Sequence, residues 1–480
     1  VAGFSLIGLV GVGFPAHATE WPTSADLRAA LESAHALRVD GQPLRAPILR
    51  EFYGEIGFEP VWGSDPGGVA RAAMGLAALA GAREHGLVPA HYGISAIRRR
   101  SDPETLRAAI ERELLMTDAL LRYAVDVRAG RVRPNAVQTD WGIPPPLRDD
   151  PVHELVEAIE AGTLAVWLEA LPPPHGGYGR LVGALRALHA RAARGGPGAR
   201  GVDAQIRQVA VNLERWRWLP RSLESQHLVV NAADATLAVV EDGRVRLASR
   251  VVVGDELHPT PVVRAEVGAV VLNPTWTVPT SMVVEEFLPK LRANPRFLAD
   301  NDIMILDRPQ DPYGLAIDWT AVPAARFPFR LQQRPGGFNP LGRIRFASPN
   351  RFDVYLHDTP LPELFQREDR ALSHGCVRVE RARELAELVL AGLPAGRPTV
   401  LGRALTSGVT SVVPVARPLP VYLLYWTAFV DDEGRLQLRD DLYDRDGRVA
   451  AALSRSPWAV PRPAARPPAA GQSVSPGNRP

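Results

Sequence analysis

Cys376 is the sole cysteine among 480 residues, and it sits in the stretch Ser373-His374-Gly375-Cys376-Val377-Arg378. A lone thiol has no internal disulfide partner, so its value lies in packing or in reactivity. Its neighbours favour reactivity. A packing cysteine is normally found in an apolar run, whereas His374, Gly375 and Arg378 supply positive charge and open backbone amides. A second histidine, His357, ends the alternating run Val354-Tyr355-Leu356-His357, which reads as a strand. Acyl transfer by a thiol needs these parts: an imidazole to take the thiol proton, a neighbour to orient the ring, and N–H groups to receive the oxyanion. The competing reading is a buried, inert Cys376 with His357 as a surface residue.

A histidine, fifteen intervening residues and then Ser-His-Gly-Cys-Val-Arg resembles the signature of the L,D-transpeptidases, bacterial enzymes that cross-link peptidoglycan through a cysteine acyl-enzyme. The resemblance implies that Cys376 is the nucleophile and His357 the base and later proton donor. It also implies that the Asp358 carbonyl orients the His357 ring and that N–H groups around His374, Gly375 and Cys376 hold the oxyanion. Ser373 and His374 would shape the site, and the fork of Arg378 suits a carboxylate. The implied donor is a tetrapeptide stem, attacked at the carbonyl of its third residue, usually diaminopimelate, with release of D-alanine. The implied acceptor is the side-chain amine of a second stem. No metal or organic cofactor is required. Water as acceptor would make a carboxypeptidase, and a lipoprotein lysine an anchoring enzyme. An inactive wall-binding scaffold is the non-enzymatic alternative, opposed by the intact His357 and Cys376.

These residues must be positioned by a mostly β domain, expected over residues 202–400. After a helix at 202–218, with Val209, Leu213 and Trp216 on one side, the β-branched runs at 227–231, 236–240, 250–254 and 267–273 predict strands. In the family such strands form a sandwich or barrel-like sheet around the cysteine. Residues 279–319 read as helix and loop, too long for a hairpin turn. Their flanks resemble the long, multi-domain subgroup of Gram-negative bacteria, where an insertion caps the cleft. Where the family commonly has lysine this chain has Arg345, which keeps the charge and changes the geometry. A helix over 381–390 is predicted just after the motif, with Cys376 just upstream of its N-terminus.

The expected architecture is α+β and multi-domain. Residues 19–174 read as a helical scaffold, with apolar residues three and four apart at 27–34 and 111–124. His85 and His91 within it have no convergent ligand spacing, so they are read as packing or surface residues. Residues 175–201 read as a linker with one helix at about 178–193, leaving no room for the subgroup's usual peptidoglycan-binding module. Residues 401–455 resemble the subgroup's C-terminal extension, with strands expected to pack on the scaffold or catalytic domain. Its aspartates lack the spacing of a calcium loop. The Pro-, Ala- and Arg-rich stretch 456–480 is expected to be disordered.

Composition permits this organisation. With 46% hydrophobic and 22% charged residues and a formal charge of +2, the chain can bury normal cores and has no general electrostatic case for nucleic acid. Lys290 is the only lysine, which reads as a codon-composition bias. Residues 1–18 are apolar and end in Ala16-His17-Ala18, a small-x-small pattern that predicts a signal peptide and export to the periplasm.

Overall fold

The computed structural model describes residues 21–33, 37–63, 65–195, 199–391 and 397–455. The expected leader at 1–18, part of the connector at 196–198 and the tail from 456 lie outside the described residues. The architecture is α+β: helices dominate up to residue 217, and strands dominate beyond it.

The spine of the helical part is α1 (Leu106–Ala129), whose Thr105 side chain accepts the Ala108 N–H as an N-cap. It is buried on nearly every side in its middle, so its polar groups have to bond internally. Glu113, fully buried, accepts the N–H groups of Val61 and Trp62. Two further helices, α2 (Gly176–Arg194) and α3 (Ala199–Arg217), run side by side into the β domain. Val209, Leu213 and Trp216 of α3 are all buried, as their spacing predicts. At its end Arg217 and Glu214, both with no exposure, pair at 2.7 Å. Glu214 also accepts the Val132 N–H at 2.6 Å, and Arg217 donates to the His85 carbonyl. This buried pair ties the scaffold to the entrance of the β domain.

The β domain is a closed sheet. In chain order its strands are β1 (Trp141–Gly142), β2 (Gln226–Asn231), β3 (Thr236–Glu241), β4 (Arg244–Gly254), β5 (Val262–Leu272), β6 (Ile344–Ala347), β7 (Leu356–His357), β8 (Val377–Val379) and β9 (Ser411–Leu424). They run β6-β7-β8-β4-β3-β2-β9-β5, and β5 pairs back onto β6. Closure removes the free edges that a sheet of this length would otherwise present. Its inward residues, among them Val230, Val239, Val251, Val270, Phe346 and Val377, join the scaffold helices in one apolar core.

Two features depart from expectation. The sheet runs past the expected span of 202–400, because β9, from the C-terminal extension, lies between β2 and β5 and closes the barrel. Its prolines at 414, 418 and 420 hide it in the sequence; the ladder to β5 is interrupted between Pro414 and Leu419, as a strand with missing donors requires. The scaffold also contributes to the sheet, since Trp141 and Gly142 of β1 pair with Val262 and Val263.

The insertion is larger and more ordered than a helix-and-loop excursion at 279–319. It begins at Trp276, ends at Gln333, and has its own three-stranded sheet, Trp276–Thr277, Leu331–Gln333 and Ile303–Ile305. A separate core holds it together, built on Phe287, Leu288, Leu291, Ile305, Trp319 and Leu331. Strands of two or three residues are too short to show a period, which is why the sequence reads as loop there.

Candidate active site

His357 ends β7, which lies between β6 and β8. Its Cα partners are Arg345 on one side and Arg378 on the other, so the three side chains leave the same face of the sheet in a row. His357 is 4% exposed, and its Nδ1 lies 2.6 Å from the Asp358 carbonyl oxygen. A carbonyl can only accept, so Nδ1 carries the proton and Nε2 is left as the basic nitrogen. Burial, then the charge of Arg378, pushes the His357 pKa down to about 3, with Arg345 adding to the effect and the Asp358 hydrogen bond opposing it. The imidazole is therefore neutral at ordinary pH. Asp358 is itself anchored, since its carboxylate accepts the Arg343 N–H at 2.8 Å.

The Cys376 loop hangs between β4 and β8. Residues Ala371–Ser373 run parallel to the end of β4, and the Ser373 carbonyl accepts the Asp255 N–H at 2.9 Å. Ser373 Oγ donates to the Cys376 carbonyl at 2.6 Å and accepts the Gly375 N–H at 3.2 Å, closing the turn on itself. Thr260, fully buried, donates its hydroxyl to the Gly375 carbonyl at 2.9 Å and accepts the Gly254 N–H at 2.8 Å. In a trans peptide the N–H opposes the C=O, so this bond aims the Cys376 N–H away from Thr260. Gly375 has φ of +100°, open to glycine and strained for other residues. A Cβ on Gly254 would fall 2.0 Å from the His258 carbonyl and 3.0 Å from Gly375 Cα, so that position also has to stay bare. The C-terminal segment braces the same turn, with Tyr443 donating its hydroxyl to the Gly254 carbonyl at 2.7 Å.

Cys376 is half-buried and shares a cleft of about 370 Å³ with His357, Arg378, Tyr355 and Trp276. Burial raises its pKa, against the opposing pull of the Tyr355 backbone and Arg378. These shifts favour a neutral thiol and a neutral imidazole at rest. Cys376 stands at the start of strand β8, with that strand between it and the helix α4 (Ala382–Leu390). The expected placement just before a helix N-terminus is corrected accordingly: the backbone amides here belong to a turn.

Of the seven site residues expected from the sequence, Cys376, His357, His374, Ser373 and Arg378 line this cleft, Gly375 sits in the turn beside it, and Asp358 joins through its carbonyl on His357. Two differ in detail. The Gly375 N–H is taken by Ser373 Oγ, which removes it from the expected oxyanion donors. His374 turns toward the cap, with its Nε2 2.8 Å from Glu286 Oε1 and its ring 4.3 Å from that of His258. His258 in turn bonds Asp255 through Nδ1 at 3.0 Å. Sequence reasoning missed His258, Thr260, Tyr355 and Tyr443, and passed over Arg345 and Glu286 as site residues. The Asp255 to His258 spacing is local, and Tyr355 lies two residues before His357 in the same alternating run; the rest come from distant segments with no pattern to link them. His85 and His91 are packing residues: the first bonds Tyr178 Oη at 2.9 Å and the second is 8% exposed. No helix among the described residues is long and apolar enough to cross a membrane.

Comparison with known proteins agrees with this geometry. Residues 47–185 match the family model of a scaffold domain, and residues 225–401 match that of the L,D-transpeptidase catalytic domain. Over 248 residues the chain is 35% identical to a Haemophilus influenzae protein named as an L,D-transpeptidase, a stretch covering 51% of this chain and 49% of that protein. The chain thus spans about half the length of the curated relative it matches. Among solved structures, an L,D-transpeptidase from Mycobacterium smegmatis overlaps at TM-score 0.20 and 13% identity, over 42% of this chain and 58% of the other. An Enterococcus faecium L,D-transpeptidase mutant does so at TM-score 0.20 and 13% identity, over 43% and 52%. Overlaps that shallow carry no weight. The family match does: residues 225–401, which match the L,D-transpeptidase catalytic domain, enclose the histidine, the thiol and the cap.

Proposed function

We propose that this chain is a peptidoglycan L,D-transpeptidase that works through a thioester on Cys376. The observation that carries this reading is the fixed tautomer of His357: its Nδ1–H is held by the Asp358 carbonyl, leaving Nε2 basic in the cleft that holds Cys376. In the first half-reaction the Cys376 proton passes to His357 Nε2 as sulfur attacks the carbonyl of the third residue of a donor stem. The oxyanion is met by the Cys376 N–H, which Thr260 orients through the Gly375 carbonyl. His357 then returns the proton to the departing D-alanine amine. Arg378, its guanidinium part-buried in the cleft with an unpaired Nε, is suited to a stem carboxylate. The cap covers the opposite side of the cleft through Met282 and Glu285 and acts as a lid. In the second half-reaction an amine of another stem resolves the thioester. Such a reaction belongs in the periplasm, where the wall is built.

Muropeptide analysis tests this. Cells making the wild-type chain should gain cross-links between third residues, and cells making Cys376→Ala should not. Tripeptides in place of cross-links would make the protein a carboxypeptidase, and equal muropeptides in both strains would remove the reading.

A further inference from the structure

The second half-reaction poses a problem that His357 alone does not solve. A diaminopimelate or lysine side-chain amine has a pKa near about 10.4, so at neutral pH it arrives as an ammonium that cannot attack. It must lose one proton before attack and a second as the amide forms. His357, which lines the same cleft as Cys376, can take only one of them. A second acceptor is needed beside the thioester, on the side from which the acceptor stem enters.

The cap supplies the means. Glu286 is the one cap carboxylate that reaches the motif, with Oε1 at 2.8 Å from His374 Nε2. Its position has a local cause. Pro289 has no N–H for the Glu285 carbonyl four residues back, and residues Val283–Phe287 widen into a π-turn, with the Leu288 N–H reaching Val283. Such a turn shifts the following side chains by about 100° relative to an α-helix. With the Glu286 carboxylate at ion-pair distance, the proton of a neutral His374 is favoured on Nε2, which leaves Nδ1 as the base. His374 is 41% exposed and His258 37%, and both line the cleft with Cys376. The charged and titratable groups around His374 are Glu286 and Glu285 of the cap, His258 with its Asp255, and Cys376, and the same cleft is lined by Asp353, Tyr355, His357 and Arg378. Cap carboxylates and Arg378 thus share one cleft, which suits an incoming ammonium and a donor carboxylate.

Resting on the transpeptidase reading above, we infer that Glu286 is a positioning residue for the acceptor half-reaction, holding His374 as the base that deprotonates the incoming ammonium. The ammonium gives one proton to His374 Nδ1. Its freed nitrogen bonds the thioester carbonyl carbon, and the carbon–sulfur bond breaks. The second nitrogen proton passes to His357 Nε2 and from there to the leaving thiolate, which regenerates the thiol. His374 releases its proton to water. Glu286 and His374 end unchanged, and no redox partner is involved.

The test uses the full chain, a tetrapeptide donor and a diaminopimelate-containing tripeptide as acceptor. Acyl-enzyme formation is followed by rapid-mixing mass spectrometry, and the ratio of cross-linked to hydrolysed product is measured from pH 6 to about 10. Glu286→Gln keeps an acceptor oxygen for His374 and drops the charge. At pH 7 its product ratio should fall by about tenfold or more and climb back toward the wild-type value near pH 10, where the amine is free in solution. Glu286→Asp should restore part of the ratio. A ratio equal to wild type across the pH range overturns the inference and leaves the transpeptidase reading intact. So does a loss of acylation matching the loss of transfer, which would make Glu286 a strut of the nucleophile loop. Wild-type protein that acylates and transfers to no amine would overturn both.

Discussion

At the residue scale the site works with neutral groups. Burial raises the Cys376 thiol pKa and lowers that of His357 to about 3, so there is no thiolate–imidazolium pair at rest. Cys376→Ala should leave the fold intact, because no disulfide depends on the sulfur and its bond to the Asp353 carbonyl is long, at 4.0 Å. Intact-mass spectrometry should then show a carbapenem adduct on wild type alone; an adduct on the variant would move the nucleophile elsewhere. His357→Ala should slow acylation by about 10²- to 10⁴-fold, the usual reach of general-base help. The pH profile carries a sign. A base whose pKa lies near 3 stays unprotonated down through pH 5, so wild-type acylation should hold level from pH 7 to 5. The rate should rise on the alkaline side as the thiol ionises. An acid limb centred between pH 6 and 7 would mean that His357 is not the buried, arginine-flanked base seen here.

At the element scale the cap is the part whose behaviour can be isolated. It has its own core and leaves the barrel through Trp276 and Gln333, which are direct partners across a ladder. A cut inside it, such as 285–312, would remove Phe287, Leu288, Leu291 and Ile305 and strand the remaining apolar residues Trp319 and Leu331 in water. The clean excision is therefore 277–332, joined by a short glycine linker across neighbouring strands. That variant should keep Cys376 titratable by a small thiol reagent. Turnover of tetrapeptide donor should fall by about 10²-fold through lost positioning, and tripeptide should rise relative to cross-linked product. Wild-type turnover and product ratio in the folded variant would reduce the cap to decoration.

At the scale of the whole molecule, scaffold and barrel cannot be separated. They share one apolar core, the scaffold lends β1 to the sheet, and the Glu214–Arg217 pair lies between them with no solvent exposure. Glu214→Ala would leave a buried guanidinium without its counter-charge, at a cost of about 3–5 kcal/mol, readable as a drop in the urea midpoint. Acid should weaken the same region. His85, beside Arg217 and Arg186, has its pKa lowered by burial from 6.5 to about 3, as does His357. The unfolded chain binds these protons first, so the stability they allow is present above about pH 6.5 and is lost as pH falls toward 3. Each contributes up to about 1.4 kcal/mol per pH unit in that window. Unfolding measured from pH 7 to 4 should be less pH-dependent in His85→Asn than in wild type, whatever the absolute stability of the variant.

Residue types and their spacing pointed to the candidate site. One thiol, a histidine at the end of an alternating run and a glycine beside the thiol are local facts, and the strand ending at His357 followed from the same alternation. The helices of the scaffold followed from their three- and four-residue apolar intervals. The rest was a matter of tertiary structure. β9 is broken by prolines, and a strand with missing donors is recognisable only from the partners that tolerate it. The cap's strands are too short to carry a period. Thr260 orients a peptide 115 residues away, and Glu286 meets His374 across the cleft from a π-turn. A hydrogen bond between distant segments leaves no mark on the spacing of either, because neither segment's own conformation requires it; only the closure of the barrel and the seating of the cap bring them within reach.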